Sequence, residues 1–155
     1  MIWLDHPPPG NAALAALMTA QSLTAALKAR GARFAVDVRF QGEIDAARLR
    51  ADERIAGAHY AREVRLLLDD VPVVWARSVC AANAKGWREV LACGNQPLGA
   101  RLFGGEVEAA RSAFRYARLE ADGSGTVWIR QSRFTAHGDT LLLSEAFLPG
   151  LQEFL

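Results

Sequence analysis

HYAREVRLLLDDVPVVWARSVCA, residues 59–81, decides how the chain is read. Its two halves are rich in aliphatic and β-branched residues, and Asp69-Asp70 marks a tight connection between them. That pattern is a β-hairpin. Side chains of a strand alternate between its two faces. Arg62 therefore shares a face with Val64, Leu66 and Leu68, while Arg77 lines up with Val73, Trp75 and Val79. A charge on a mainly apolar face needs a partner or a task, because burying it alone is costly.

Upstream of the hairpin, RFAVDVRFQGEI (residues 33–44) alternates Phe34, Val36, Val38 and Phe40 against polar neighbours, as a half-buried strand does. Residues 45–57, charged and alanine-rich, read as a helical turn and loop. Residues 11–30 are helical in pattern, with Ser22 as an N-cap before an Ala/Leu run and Gly31 as a stop. Residues 1–10 are a proline-rich lead-in. Downstream, AKGWREVLACG (residues 84–94) is a short helix ending at Gly94, and NQPLGARLF (residues 95–103) turns into another. AFRYARLEA (residues 113–121), TVWIRQSRFTA (residues 126–136) and TLLLSEAFLP (residues 140–149) read as three strands. DGSG (residues 122–125) and HGD (residues 137–139) are the turns between them.

The expectation is an α+β fold: a six-stranded antiparallel sheet with helices covering one face. With 155 residues, the chain suits a single domain over residues 1–155. No strand runs through a GxGxxG into a helix, which excludes a Rossmann-type cofactor fold.

The chain is 51% hydrophobic and 23% charged, the balance of a globular protein, and its net charge of +1 shows no basic excess. A nucleic-acid partner is not expected on that balance. No apolar stretch reaches the ~20 residues of a membrane span, and the N-terminus lacks the pattern of a signal peptide. Cys80 and Cys93 lack metal-ligand spacing and read as reduced thiols of a cytoplasmic protein. His6, His59 and His137 are scattered, so neither a metal nor another cofactor is expected.

In the last strand Glu145 shares a face with Leu141, Leu143 and Phe147, and the other face carries Leu142, Ser144, Ala146 and Leu148. Neither face is a solvated one. Arg130 lines up with Trp128, Ser132 and Phe134. One glutamate and up to three arginines thus fall on mainly apolar faces of one sheet. They could be a buried Arg62–Glu145 pair that only fixes register, with Arg77 and Arg130 as rim charges whose stems pack on tryptophan. They could instead line a pocket for a compact, partly apolar anion. Several cations against one carboxylate favour the pocket.

Four segments carry a resemblance to a known family. REVRLLLDDVPVVWARSV (residues 62–79), PLGARLF (residues 97–103), WIRQSRF (residues 128–134) and LLLSEAFLP (residues 141–149) resemble chorismate pyruvate-lyase in order and spacing. QSLTAAL (residues 21–27) looks like that family's Ser-Leu-Thr motif, so the match runs over residues 22–149. The resemblance implies a cofactor-free enzyme that removes pyruvate from chorismate to give 4-hydroxybenzoate, the first step of ubiquinone biosynthesis; a monomer is expected. It also implies a ligand sealed beneath helical flaps. The family's product-binding arginine falls on Arg62, and its glutamate near the phenolic hydroxyl falls on Glu145. Two backbone N–H donors fall on Leu23 and Leu98, which by side chain alone read as core leucines. Arg77 and Arg130 are candidate secondary contacts.

The chain departs from the family pattern in three places. DDVP stands where a glycine is usual in the turn, Gln131 stands where a second arginine is frequent, and the segment before Ser22 matches poorly. The alternative function is a non-catalytic sensing domain for an aromatic acid, with the sheet architecture of the effector-binding part of some transcription regulators.

Overall fold

Two tight hairpins organise the sheet. In the computed structural model, which describes residues 1–103, 108–121 and 125–155, β2 (His59–Leu68) and β3 (Val71–Ala81) join through Asp69 and Asp70, at φ 48° and 65°. Likewise β6 (Gly125–Ala136) and β7 (Asp139–Phe147) join through His137 and Gly138, at φ 53° and 80°. Positive φ at both central residues gives the twist that antiparallel strands need. Asp is among the few side chains that enter this region readily, so the turn forms without glycine. The turn expected over residues 122–125 lies outside the described residues, apart from Gly125.

The sheet runs β1-β2-β3-β7-β6, with β1 (Phe34–Ile44) at one edge, and every pairing is antiparallel. Beyond β6 lies an edge made of two pieces, β4 (Ala110–Arg111) and β5 (Arg115–Ala121). Among the described residues there are therefore seven strands where six were expected, because the sixth position in the sheet is broken. Arg111 faces Phe134 but Arg115 faces Gln131, so the register slips by one residue between the pieces.

A second slip lies inside the β2–β3 hairpin. Leu68 faces Val71 and Leu67 faces Pro72, yet Leu66 faces Val74. Val73 is thus an extra residue, next to a proline that has no N–H for the ladder. Past this bulge Arg62 faces Ser78, and Arg77 faces Glu63. Directly opposed residues share a face, so Arg62 and Arg77 lie on opposite sides of the sheet. This corrects the expectation that both could serve one pocket.

The helical pattern over residues 11–30 breaks in two, α1 (Ala12–Thr19) and α2 (Leu23–Lys28), because Ala20 is extended. Ser22 caps α2 as expected, its Oγ accepting from the Ala25 N–H at 3.2 Å. With α3 (Lys85–Leu91) and α4 (Leu98–Phe103), these helices cover one face. Leu17, Met18, Leu27, Trp87 and Leu91 pack there with Val64, Leu66 and Phe147. The segment expected as a helical turn forms two 3-10 turns, Ala46–Arg48 and Ala51–Glu53, and a third, Pro149–Phe154, closes the chain. Gly150 sits so close to β3 that a Cβ would lie 2.7 Å from the Pro72 carbonyl oxygen.

Candidate functional site

The helix-covered face carries the polar exceptions. One row across the sheet reads Arg62, Ser78, Leu143, and the next reads Val64, Ala76, Glu145, Arg130. Leu23 and Thr24 at the start of α2, and Leu98, Gly99 and Leu102 of α4, close over this floor around a cavity of about 50 Å³. A cavity of ~150 Å³ is large enough for benzene, so a six-membered ring enters only if α2 or α4 shifts. The floor cannot yield so readily, because its strands are hydrogen-bonded on both sides.

Arg62 is 3% exposed. Its Nη2 donates to the carbonyls of Gly94 at 3.1 Å and Gln96 at 2.9 Å, in the connection between α3 and α4. Its Nε is buried without a hydrogen-bond partner, and no carboxylate among the described residues pairs with it. Burial pushes this guanidinium below its ordinary pKa. An uncompensated buried cation costs several kcal/mol, and an incoming carboxylate would relieve that cost.

Glu145 is 6% exposed, and its Oε1 accepts from Arg130 Nε at 2.7 Å. Arg130 is 1% exposed. Its Nη1 donates to the carbonyls of Met18 at 3.0 Å and Ala20 at 2.7 Å, and the Tyr116 hydroxyl donates to the same Met18 carbonyl. Arg111, also in the cavity wall, donates to the Gln21 carbonyl and to Ser132 Oγ. The connection between α1 and α2 is therefore tied to the sheet through its carbonyls. Burial first, and the like charge of Arg130 second, lower the Arg111 pKa to about 10.

The structure brings Leu23, Arg62, Leu98, Arg130 and Glu145 to one cavity. The simple Arg62–Glu145 pair is replaced by Arg130–Glu145, which leaves Arg62 with backbone carbonyls alone. Arg77 is not part of the cavity. It stacks on Trp75 on the reverse face and donates to Glu63 Oε1 at 3.0 Å and Glu53 Oε1 at 2.7 Å. Beside it, Gln131 Nε2 donates to Asp52 Oδ2 and to Ser144 Oγ, while Arg50 bridges Asp52 and Ser144. Gln131 thus replaces the family's frequent arginine on the side away from the cavity, and the cavity's charge is untouched.

Sequence reasoning missed Ser78 and Arg111. Ser78 was legible as the residue alternating with Ala76 across from Arg62, once the bulge is known. Arg111 gave no periodic signal, because β4 spans only Ala110–Arg111.

Among the described residues, no cluster of His, Cys, Asp or Glu could hold a metal ion, and no helix is long and apolar enough to cross a membrane. Cys80 and Cys93 are free thiols, the first buried and the second half-buried.

The chorismate lyase family model matches residues 4–153. A relative from Azoarcus sp. strain BH72 is 35% identical over 175 residues, covering 96% of this chain and 91% of its own. Another, from Nitrosospira multiformis, is 33% identical over 174 residues, covering 96% and 94%. Both carry the name "Probable chorismate pyruvate-lyase". Among solved structures, the effector domain of PhnF from Mycobacterium smegmatis aligns with a TM-score of 0.53 at 12% identity, over 85% of this chain and 90% of that one. At that identity the likeness is one of fold. Whole-length matches of sequence carry more, and the chain belongs to the chorismate lyase family.

Proposed function

We propose that this protein is a chorismate pyruvate-lyase, splitting chorismate into pyruvate and 4-hydroxybenzoate for ubiquinone biosynthesis. The single observation that carries the site assignment is the charge arrangement of the cavity. A buried arginine with no carboxylate partner among the described residues lies at one end of an apolar floor, and an arginine-held glutamate lies further along it.

Chorismate loses its carbon 3–oxygen bond and the hydrogen on carbon 4 in this reaction, and the ring becomes aromatic. Aromatisation makes the step strongly downhill, so the protein's task is orientation and charge placement. Arg62 receives the ring carboxylate on its open Nε, in a charge-assisted hydrogen bond. Glu145 accepts a hydrogen bond from the 4-hydroxyl and stabilises charge that develops beside it, while Arg130 holds the carboxylate in place. The amides of Leu23 and Leu98, the first residues of α2 and α4, donate to ligand oxygens. Val64, Leu66 and Leu143 pack on the ring. The reading carries with it a monomeric, cofactor-free enzyme of one domain, working in the cytoplasm.

The test is incubation of the purified protein with chorismate. Matched release of pyruvate and 4-hydroxybenzoate over many turnovers is expected. Binding of chorismate without turnover would make the protein a sensor, a role that the regulator-like fold would also allow.

A further inference from the structure

Arg62 has no fork left for a carboxylate. Both forks of a guanidinium, side-on and end-on, use Nη2, and here Nη2 is engaged by the carbonyls of Gly94 and Gln96. Nε, buried and unpartnered, can give a single bond to one oxygen. A carboxylate has two oxygens and accepts about four hydrogen bonds in all. The Leu98 amide approaches from the helix layer, so the oxygen nearer the sheet needs a donor of its own. Ser78 faces Arg62 directly across the β2–β3 ladder, and its side chain lines the cavity. Directly opposed residues have Cβ atoms about 5 Å apart. Nη2 reaches up to the α3–α4 connection, whereas Nε is nearer the strand along the side chain. Nε and the Ser78 hydroxyl thus border the same part of the cavity. Ser78 is 2% exposed, and among the described residues its hydroxyl makes no hydrogen bond. Buried polar side chains are in large majority hydrogen-bonded, and an exception calls for an explanation.

Resting on the lyase reading, we infer that Ser78 is a substrate-binding residue, whose hydroxyl donates to the ring carboxylate oxygen that Arg62 Nε leaves open. Arg62 supplies the charge and Ser78 the second point of attachment, which fixes the plane of the carboxylate over the floor. Both groups stand open in the free protein, so one incoming carboxylate satisfies the two together. A serine kept only for its small size would do neither.

Calorimetry with two ligands tests this. One is 4-hydroxybenzoate; the other is 4-nitrophenol held in its protonated form, which has the same shape but no charge and accepts hydrogen bonds weakly. Ser78→Ala should bind 4-hydroxybenzoate about tenfold or more weakly, the size of one hydrogen bond to a charged group, with 4-nitrophenol affinity within about twofold of native. The free variant's Tm should hold or rise, because a buried hydroxyl without a partner is removed; a serine with a structural role would lower it. Ser78→Thr keeps the hydroxyl, so its preference for 4-hydroxybenzoate over 4-nitrophenol should stay near the native one. Native affinity for 4-hydroxybenzoate in Ser78→Ala, or an equal loss of both ligands, overturns the inference and leaves Ser78 as a spacer. A preference that collapses in Ser78→Thr as far as in Ser78→Ala counts against it as well. Failure of the lyase reading looks different: the native protein would bind 4-hydroxybenzoate through Ser78 but release no pyruvate from chorismate.

Discussion

Arg130 and Glu145 face each other across the β6–β7 ladder, with Nε and Oε1 2.7 Å apart, and both are almost fully buried. The pair joins two tasks. Glu145 faces the ligand cavity, and Arg130 reaches past it to the carbonyls that end α1.

Removing the arginine strands a buried carboxylate and frees those carbonyls. Arg130→Ala should cost about 3–5 kcal/mol, a fall in Tm of roughly 6–20 °C for a chain of this size. Glu145→Gln keeps an oxygen for Arg130 Nε, so its Tm should fall less, while kcat per folded molecule drops about 100-fold or more. A thermal melt and a steady-state rate on each variant check this. Near-normal kcat in Glu145→Gln would reduce the glutamate to architecture.

Arg62 should behave in the opposite sense. Its replacement by methionine removes a buried cation that has no carboxylate among the described residues, and such replacements are often neutral or stabilising. The free protein's Tm should hold or rise in Arg62→Met. Affinity for 4-hydroxybenzoate, followed by calorimetry, should fall by about 2–5 kcal/mol. Product binding equal to the native value would show that the carboxylate sits elsewhere.

Gln131→Arg restores the residue frequent in the family. On the reverse face it would meet Arg50 and Arg115 already in place, with Asp52 already engaged by Arg50. Stability should fall, with KM for chorismate unchanged within about twofold, the surroundings of the cavity being intact. A large change in KM would mean that Gln131 reaches the ligand after all.

The two thiols should differ in reactivity. Burial pushes the Cys80 thiol up to about 11, so at pH 8 it stays protonated and poorly nucleophilic. Alkylation of the native protein followed by peptide mass spectrometry should find Cys93 modified first and Cys80 only after unfolding. Modification of Cys80 at the rate of Cys93 would contradict its burial.

Turnover should be unchanged by EDTA and dialysis. Loss of activity that one divalent ion restores would require a metal site that no cluster among the described residues provides.

Much of this arrangement could be read from the sequence, and the limit has a physical reason. Alternation along a strand identified Arg62, Arg77, Arg130 and Glu145 as inward-facing, but it cannot say which side of the sheet each strand's inner face meets. Register supplies that. A turn at His137-Gly138 pairs Ala136 with Asp139 and, stepping outward, Arg130 with Glu145. That ion pair was legible in principle. The same arithmetic from Asp69-Asp70 would oppose Arg62 to Arg77, and the extra Val73 defeats it. Arg111 and the helix amides depend on chain geometry that no periodicity encodes.

The bulge at Val73 acts as a phase shifter. With one residue more between the turn and Arg77, β3 would have two ways to fold. It could keep the turn and rotate half a repeat, placing Arg77 against Arg62 and leaving Glu53 and Glu63 without their counter-ion. Or it could keep both faces and break the turn. Either outcome is costly, so insertions in this hairpin should come in steps of two, whereas loss of Val73 itself would leave a regular hairpin with Arg77 still facing Glu63. An even step slides the strand by a full repeat and preserves the sidedness on which both polar clusters depend.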